Sequence, residues 1–290
     1  MAKKIKTKLL TKRKAAWAKN RDVTLRGSRL TMNIGTEAAY NKKLQALVTR
    51  MTSTLKREID RALVSHFNTA QDSSIISKVR MIINRLEREF NKEFRSRADR
   101  LSKTMLSSVD KDSTKALHSS LKELSGGLSI KTSAVTEGVE DVLTAAVAQN
   151  VGLIKSIPSE YFTQVRTQIL NSIMNPENKG LSDLRDSING VLSDRYKRVR
   201  NRAHQIATDQ TRKAYNQINA ARMTSMGIEY FEWVHSGGGK TPRPYHRDVL
   251  NGKTFKISDP PIIDPNTGER GLPGQAINCR CTMIPSIPLG

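Results

Sequence analysis

The segment YFEWVH at residues 230–235 marks the point where the apolar pattern of this sequence changes from a helical to a strand-like period. Successive side chains of a strand point to opposite faces, so Phe231, Trp233 and His235 would share one face. Two later segments alternate in the same way and are the other candidate strands, residues 253–257 and 281–284. We therefore expect a small antiparallel sheet with irregular loops near the C-terminus.

Upstream of this segment the apolar residues recur with the 3.6-residue period of amphipathic helices. The first two helices start near Leu44 and after a turn at residues 71–74, and they are expected to form a long antiparallel pair. Pro158 is placed to open a later helix, because proline is tolerated in a first helical turn. The later helices are expected over residues 137–151, 159–174, 181–193 and 191–226. The predicted fold class is α+β, mostly long α-helices with a small C-terminal β-rich tip.

Positive charge is abundant and concentrated at the N-terminus. The chain carries 49 Lys+Arg against 27 Asp+Glu, a formal net charge of +22. Residues 1–30 hold eleven basic residues and only Asp22 as an acidic one, a charge of +10. Such a block repels itself, and we predict that residues 1–35 form a basic arm that binds duplex DNA without sequence preference. The alternative is a solvated tail that aids solubility. The arm residues assigned to DNA are Lys3, Lys4, Lys6, Lys8, Lys12, Arg13, Lys14 and Lys19.

A second basic stretch lies on the helix predicted over residues 191–226. It places five positive charges within eight residues, and these charges would follow a phosphate backbone or meet an acidic protein surface. The alternative is an ordinary solvated helix face. The five residues are Arg195, Lys197, Arg198, Arg200 and Arg202.

The remaining composition limits the cellular setting. No apolar run approaches the ~20 residues that span a bilayer, so no membrane partner is expected. The basic N-terminus lacks the apolar core and small-residue cleavage site of a secretory signal. The two cysteines are one residue apart and do not suit a disulfide that joins distant segments, which favours a reducing compartment. We expect a protein made in the host cytoplasm.

A set of short motifs follows the last predicted helix, which ends at Gly227. Its members are Trp233, Arg243, Pro244, His246, Gly252, Asn278, Cys279, Arg280 and Cys281. In this order and spacing, and with residues 150–158 and 180–184 upstream, the motifs resemble the Mu F-like minor head protein family of tailed phages, also called phage head morphogenesis proteins. The resemblance covers residues 120–286. It predicts three regions: a basic arm over 1–35, a helical region over 36–124, and a head morphogenesis domain over 125–290. Within the third region, helices are expected over 137–226 and a β tip over 228–286.

The resemblance implies a role in the virion. A member of this family would be a minor head protein that associates with the portal protein and acts in head assembly and in DNA packaging or ejection. Its partners would be the portal protein, double-stranded DNA, and a scaffold or major capsid protein. It would lie in the head interior near the portal. No small-molecule substrate is implied.

The resemblance also raises the question of a metal. Many relatives carry Cys-x-x-Cys in the first loop of the tip and Cys-x-Cys at its end, which together suit a tetrahedral zinc site. This sequence has Arg243 and His246 at the first pair, which leaves His246, Cys279 and Cys281 as candidate zinc ligands. His235 or Asp248 would be the candidates for a fourth. We expect no cofactor, with His246 hydrogen-bonded and both thiols buried; a zinc site is the alternative.

Two other functions remain open from the sequence. One is a general nucleic-acid-binding virion or host protein without a portal role. The other is a hydrolase that uses His246 with Cys279 and an orienting Asp248. The sequence carries no nucleophile elbow, phosphate-binding loop or paired-carboxylate motif beside these residues, so a non-enzymatic protein is expected.

Overall fold

The computed structural model describes residues 24–68, 74–126, 138–178, 180–237 and 242–288. The described residues form four long helices and a small sheet, most of whose strands follow the helices, and the α+β expectation is confirmed. The helices are α1 (Ile34–Asn68), α2 (Ile75–Leu124), α3 (Glu140–Met174) and α4 (Leu181–Ser225). The strands are β1 (Thr24–Arg26), β2 (Tyr230–Val234), β3 (Thr254–Lys256), β4 (Ile262–Asp264), β5 (Glu269–Arg270) and β6 (Thr282–Pro288). The predicted arm residues from Lys3 to Lys19 lie outside the described residues, as does most of the predicted turn at 71–74.

The expected antiparallel pairing of the first two helices is confirmed. Arg50 of α1 lies 3.0 Å from Glu93 of α2, and Glu58 of α1 lies 3.1 Å from Arg85 of α2. Residue numbers thus increase along α1 and decrease along α2 in the same direction, as they do in an antiparallel pair. Both helices extend beyond the apolar stripes from which they were predicted.

Among the described helices, none combines the length and the apolar character that crossing a membrane requires.

The expectation that Pro158 opens a helix was wrong, because α3 runs through it without a break. A proline inside a helix removes one backbone hydrogen bond and costs ~3 kcal/mol. The apolar stripe of α3 continues on both sides of the proline, with Ile154, Ile157, Phe162 and Val165 fully buried. Burial of side chains of this size contributes roughly 1.5–3 kcal/mol each, which exceeds the proline penalty. Packing therefore overrides the local signal.

Helix α4 is also continuous, where the sequence suggested two overlapping helices. It ends at Ser225, just before the predicted stop at Gly227, which adopts a positive φ of 77°. The Gly227 N–H donates to the Thr224 carbonyl, and the Ile228 N–H donates to the Met223 carbonyl at 2.8 Å. This is the usual way in which a left-handed glycine satisfies the last carbonyls of a helix.

The main sheet has the strand order β1-β6-β2-β3, with all pairs antiparallel. The central strand β2 pairs Trp233 with Met283 of β6 and Phe231 with Phe255 of β3. Strand β1 was not predicted and lies within the 1–35 range assigned to the arm. The Leu30 N–H donates to the Met283 carbonyl at 3.0 Å, and Thr282 Oγ1 donates to the Leu30 carbonyl. The last part of that range is therefore an ordered edge of the tip.

A second, two-stranded sheet forms from β4 and β5. It lies in the long Pro- and Gly-rich loop that connects the candidate strands at residues 253–257 and 281–284. Ile263 is 1% exposed and anchors this hairpin in the core of the tip.

The described chain divides into two compact units. One unit contains residues up to 37 together with 104–147 and 208–290, and thus contains the whole tip. The other contains residues 38–103 and 148–207. Helix α2 contributes residues to both units, and the predicted domain boundary at residue 124 stays a prediction.

Candidate functional site

The tip is built around the side chain of Trp233, which is fully buried at the centre of β2. The ring of His246 meets the indole edge to face, with centroids 5.2 Å apart and planes at 74°. His246 lies in a single π-helical turn, Tyr245–Leu250, and is 2% exposed. Such turns are rare and widen the helix locally. The turn places the imidazole within the tip, beside the indole.

The imidazole of His246 is held in one orientation by the backbone. Its Nε2 lies 2.8 Å from the carbonyl oxygen of Ile263, which accepts hydrogen bonds only, so Nε2 carries a proton. Its Nδ1 faces two sulfur atoms, at 3.5 Å from Cys279 Sγ and 3.7 Å from Cys281 Sγ. Both thiols are buried and free of disulfide bonds. His246, Cys279 and Cys281 together form what we call the imidazole–dithiol cluster.

A tight loop presents both thiols to the same side. Asn278 has a φ of +57°, a conformation that asparagine tolerates better than most residues, and its N–H donates to Asp209 of α4 at 2.7 Å. Residues two apart in an extended chain share a face, so Cys279 and Cys281 point together while Arg280 between them is exposed. Gly274 has a φ of +80°, and a Cβ there would lie 2.7 Å from the amide nitrogen of Asn216. Only glycine allows this approach to α4.

Proximity of the three groups shifts their proton affinities. The hydrogen bond with the Cys281 thiol lowers the pKa of Cys279, and His246 acts in the same direction. The same bond, together with burial, raises the pKa of Cys281. Burial lowers the pKa of His246, but the hydrogen bonds with Cys279 and the Ile263 carbonyl outweigh it, and the net shift is upward. The cluster thus favours a Cys279 thiolate beside a protonated imidazole.

The cluster supplies three of the four ligands of a structural zinc site. The ligand atoms of His246, Cys279 and Cys281 all lie within 4.8 Å of one another, and in the described chain no fourth such group joins them. When one ring nitrogen of a histidine binds a metal, the other usually donates a hydrogen bond to a carbonyl or carboxylate. Nε2 of His246 makes such a bond with the Ile263 carbonyl. These three residues would hold the ion, which would fix the two loops of the tip to each other.

The surroundings disfavour a cation at the fourth position. Arg243 donates to the Ile277 carbonyl at 2.8 Å, and its charge lowers the pKa of His246. Asp248, a candidate fourth ligand, pairs with the adjacent Arg247 at 2.7 Å. His235, the other candidate, accepts a hydrogen bond from the Gly237 N–H at its Nδ1. The metal-free state, in which hydrogen bonds alone hold the cluster, therefore stays our prediction, and the zinc site stays the alternative.

We predict that the purified chain contains zinc far below one equivalent and that a chelator leaves the tip folded. The physical reason is that three ligands beside a guanidinium make a poor site for a divalent ion. Metal analysis of protein purified without added zinc, with thermal melts before and after chelation, makes the measurement. One tightly held equivalent, with a tip that loosens on chelation, would establish the zinc alternative instead.

The other motif residues surround the cluster without joining it. Pro244 precedes the π-helical turn, and Gly252 follows it with a φ of +78° and donates its N–H to the Trp233 carbonyl at 2.8 Å. Arg280 is exposed. Sequence reasoning missed the Ile263 carbonyl and the indole contact, because neither is marked by a residue type or a local spacing.

The basic stretch of α4 is largely engaged in contacts within the fold. Arg195 donates to Gln164 and Gln168, both at 2.8 Å. Arg198 pairs with Asp194 at 2.9 Å, and Arg202 pairs with Glu160 at 2.6 Å. Only two of the five predicted DNA contacts, Lys197 and Arg200, keep exposed side chains that pair with no other described residue. The DNA contact of this stretch stays a prediction, with Lys197 and Arg200 as its unpaired cations.

Comparison with known proteins supports the resemblance inferred from the motifs. Residues 163–284 match the model of a family described as Phage Mu protein F like protein, so the resemblance is confirmed over that range. An uncharacterized protein of Haemophilus influenzae is 26% identical over 258 residues, which are 88% of this chain and 54% of that protein. The chain thus spans about half the length of this relative. No solved structure matches the chain.

Proposed function

From the match of residues 163–284 to the Mu protein F-like family, we propose that this chain is a minor head protein of a tailed phage. The match carries the proposal, because it covers the end of α3, all of α4 and nearly the whole tip. The same range holds the imidazole–dithiol cluster and its indole neighbour, so the match includes the buried centre of the tip. In this proposal the tip is a structural module with no catalytic role.

The proposed partners are the portal protein and packaged double-stranded DNA, with the scaffold or major capsid protein as a further contact during assembly. The protein is made in the host cytoplasm and enters the head interior near the portal. There it acts in head assembly and in the packaging or ejection of DNA. The formal charge of +22 supports this location, since packaged DNA is a dense polyanion.

We predict that the protein copurifies with the portal and is present in mature heads in far fewer copies than the major capsid protein. A portal-associated protein is limited in number by the single vertex at which the portal lies, whereas a shell protein covers the whole capsid. Quantitative mass spectrometry of purified heads measures the ratio. Absence from the heads, or hundreds of copies in each, contradicts the minor-head role and leaves the general nucleic-acid-binding alternative.

The hydrolase alternative has one observation in its favour, the 3.5 Å distance between Cys279 Sγ and His246 Nδ1. Three others oppose it. Cys279 is only 5% exposed, and Asp248, which would orient the imidazole, contacts Arg247 instead. The second imidazole nitrogen is held by a backbone carbonyl. A hydrolytic activity that is lost in a Cys279→Ser variant with an intact fold would reinstate this alternative.

A further inference from the structure

One face of α2 carries cations that no other part of the described fold neutralises. Arg88, Lys92 and Arg95 are all exposed, and none of them forms an ion pair or hydrogen bond with another described residue. Their spacing of four and three residues places them on the same side of a helix. We call these three residues the α2 basic face.

Other cations of the same unit are paired with carboxylates. Glu93 accepts both Arg50 at 3.0 Å and Arg97 at 3.1 Å. Glu58 accepts both Arg61 at 3.3 Å and Arg85 at 3.1 Å. Glu58 and Glu93 are thus each shared between two arginines, and Glu89 and Asp99 pair with Arg85 and Lys103, so the charges of the α2 basic face remain available to an external anion.

The composition of this part of α2 points the same way. Residues 75–103 contain nine Lys or Arg and four Asp or Glu, and the excess is carried mainly by the exposed side of the helix. The aromatic residues of this segment, Phe90 and Phe94, are 5% and 0% exposed. The face therefore offers charge without an aromatic platform on which unpaired bases stack.

We propose that the α2 basic face binds the phosphate backbone of duplex DNA without reading its sequence. At a rise of 1.5 Å per residue, Arg88 and Lys92 are ~6 Å apart along the helix axis, and Lys92 and Arg95 are ~4.5 Å apart. Duplex DNA presents a negative charge about every 1.7 Å along its axis, so three cations within ~10 Å each find a phosphate. This inference rests on the proposed function, in which the protein contacts DNA. It adds to the basic arm a second DNA-binding surface, which lies on a folded helix.

The test replaces Arg88, Lys92 and Arg95 by glutamine together in the full chain. Glutamine removes the charge and keeps a high helix propensity, so the helix is expected to remain intact. The matched control is the triple substitution Arg50→Gln, Arg61→Gln and Arg97→Gln, which removes the same charge from the same unit at positions that are already paired. Affinity for a random-sequence duplex is measured over a series of salt concentrations, and circular dichroism checks the fold of each protein.

We expect the α2 variant to flatten the slope of log K against log salt by roughly 2.7 units, at about 0.9 for each lost phosphate contact. The control is expected to keep most of the slope. Equal changes in the two variants would show that net charge and not this face governs binding, and would overturn the proposal. An unchanged slope in the α2 variant would also overturn it.

A chemical footprint gives an independent readout on the unmodified protein. Lys92 is expected to be protected from amine acylation when duplex DNA is bound, whereas Lys56 on α1, also exposed, is expected to keep its reactivity. Equal reactivity of Lys92 with and without DNA contradicts the inference. Portal copurification is measured on the same variants. If the DNA tests fail but the protein still copurifies with the portal, only the α2 contact is rejected. If the wild-type protein does not copurify with the portal, the proposed function is rejected.

Discussion

Deletion of residues 2–20 is expected to flatten the salt dependence of DNA binding by roughly 4–5 units of slope, if about five of the deleted cations contact phosphates at about 0.9 each. The deletion removes the eight cations from Lys3 to Lys19. A change of this size corresponds to on the order of 10²–10³-fold in affinity between 50 and 200 mM salt. It is the largest effect on DNA binding that we predict for any change in the chain.

The end point of this deletion follows from the structure. A cut at residue 30 would remove β1 and Leu30, whose side chain is fully buried, and would damage the tip as well as the arm. A cut at residue 20 leaves both in place. A full-length variant with the eight cations replaced by glutamine is the matched control, since it separates charge from chain length. Portal copurification should survive both changes, and an unchanged salt slope would show that the arm is a passive tail or a protein-binding segment.

Replacement of Arg243 by cysteine is expected to create a zinc site of about one equivalent in the tip. The substitution removes the cation that opposes the ion and supplies a third thiol to the imidazole–dithiol cluster, which gives the Cys3His set of a structural site. Structural zinc in small domains binds with apparent free energies of ~10–16 kcal/mol, so the tip should gain substantial thermal stability that a chelator reverses. Metal analysis and melting curves with and without chelator measure both effects.

The matched control for this substitution is Arg280→Cys. It removes the same charge and adds the same thiol on the loop of the cluster, but at an exposed position between the two buried cysteines. This variant should remain free of zinc. If Arg243→Cys binds no more zinc than Arg280→Cys, position 243 does not supply the fourth ligand and the cluster is closed by hydrogen bonds alone.

Residue spacing predicted the local elements of this molecule better than its long-range contacts. The strand around Trp233 and the helix end at Gly227 depend on alternation and on a glycine signal, both of which are visible in a few neighbouring residues. The partner of His246 is the carbonyl of Ile263 across a loop, and every residue carries a carbonyl, so no residue type marks that bond. The three-residue strand β1 is too short for its alternation to stand out within a basic segment.

The amount of positive charge can be read from the sequence. Which of the cations pair within the fold, and which stay unpaired at the surface, cannot. The arginines of α4 and those of α2 look alike in sequence, because both helices mix basic residues with a few carboxylates. Their difference lies in the partners that packing brings near. Arg195 and Arg202 contact glutamine and glutamate side chains of α3, whereas Arg88 and Arg95 are exposed and form no ion pair with a described carboxylate. Only the packing of α4 against α3 distinguishes the two cases.

The pairing of β1 with β6 has a consequence for the order of events during synthesis. Strand β1 leaves the ribosome before every other described element, and β6 leaves after all of them. Closing so long a loop is entropically unfavourable until the partner strand is available, so β1 docks late. Residues Thr24–Arg26 are then paired only in chains that have reached β6. Chains truncated before β6 would leave the β1 edge unpaired.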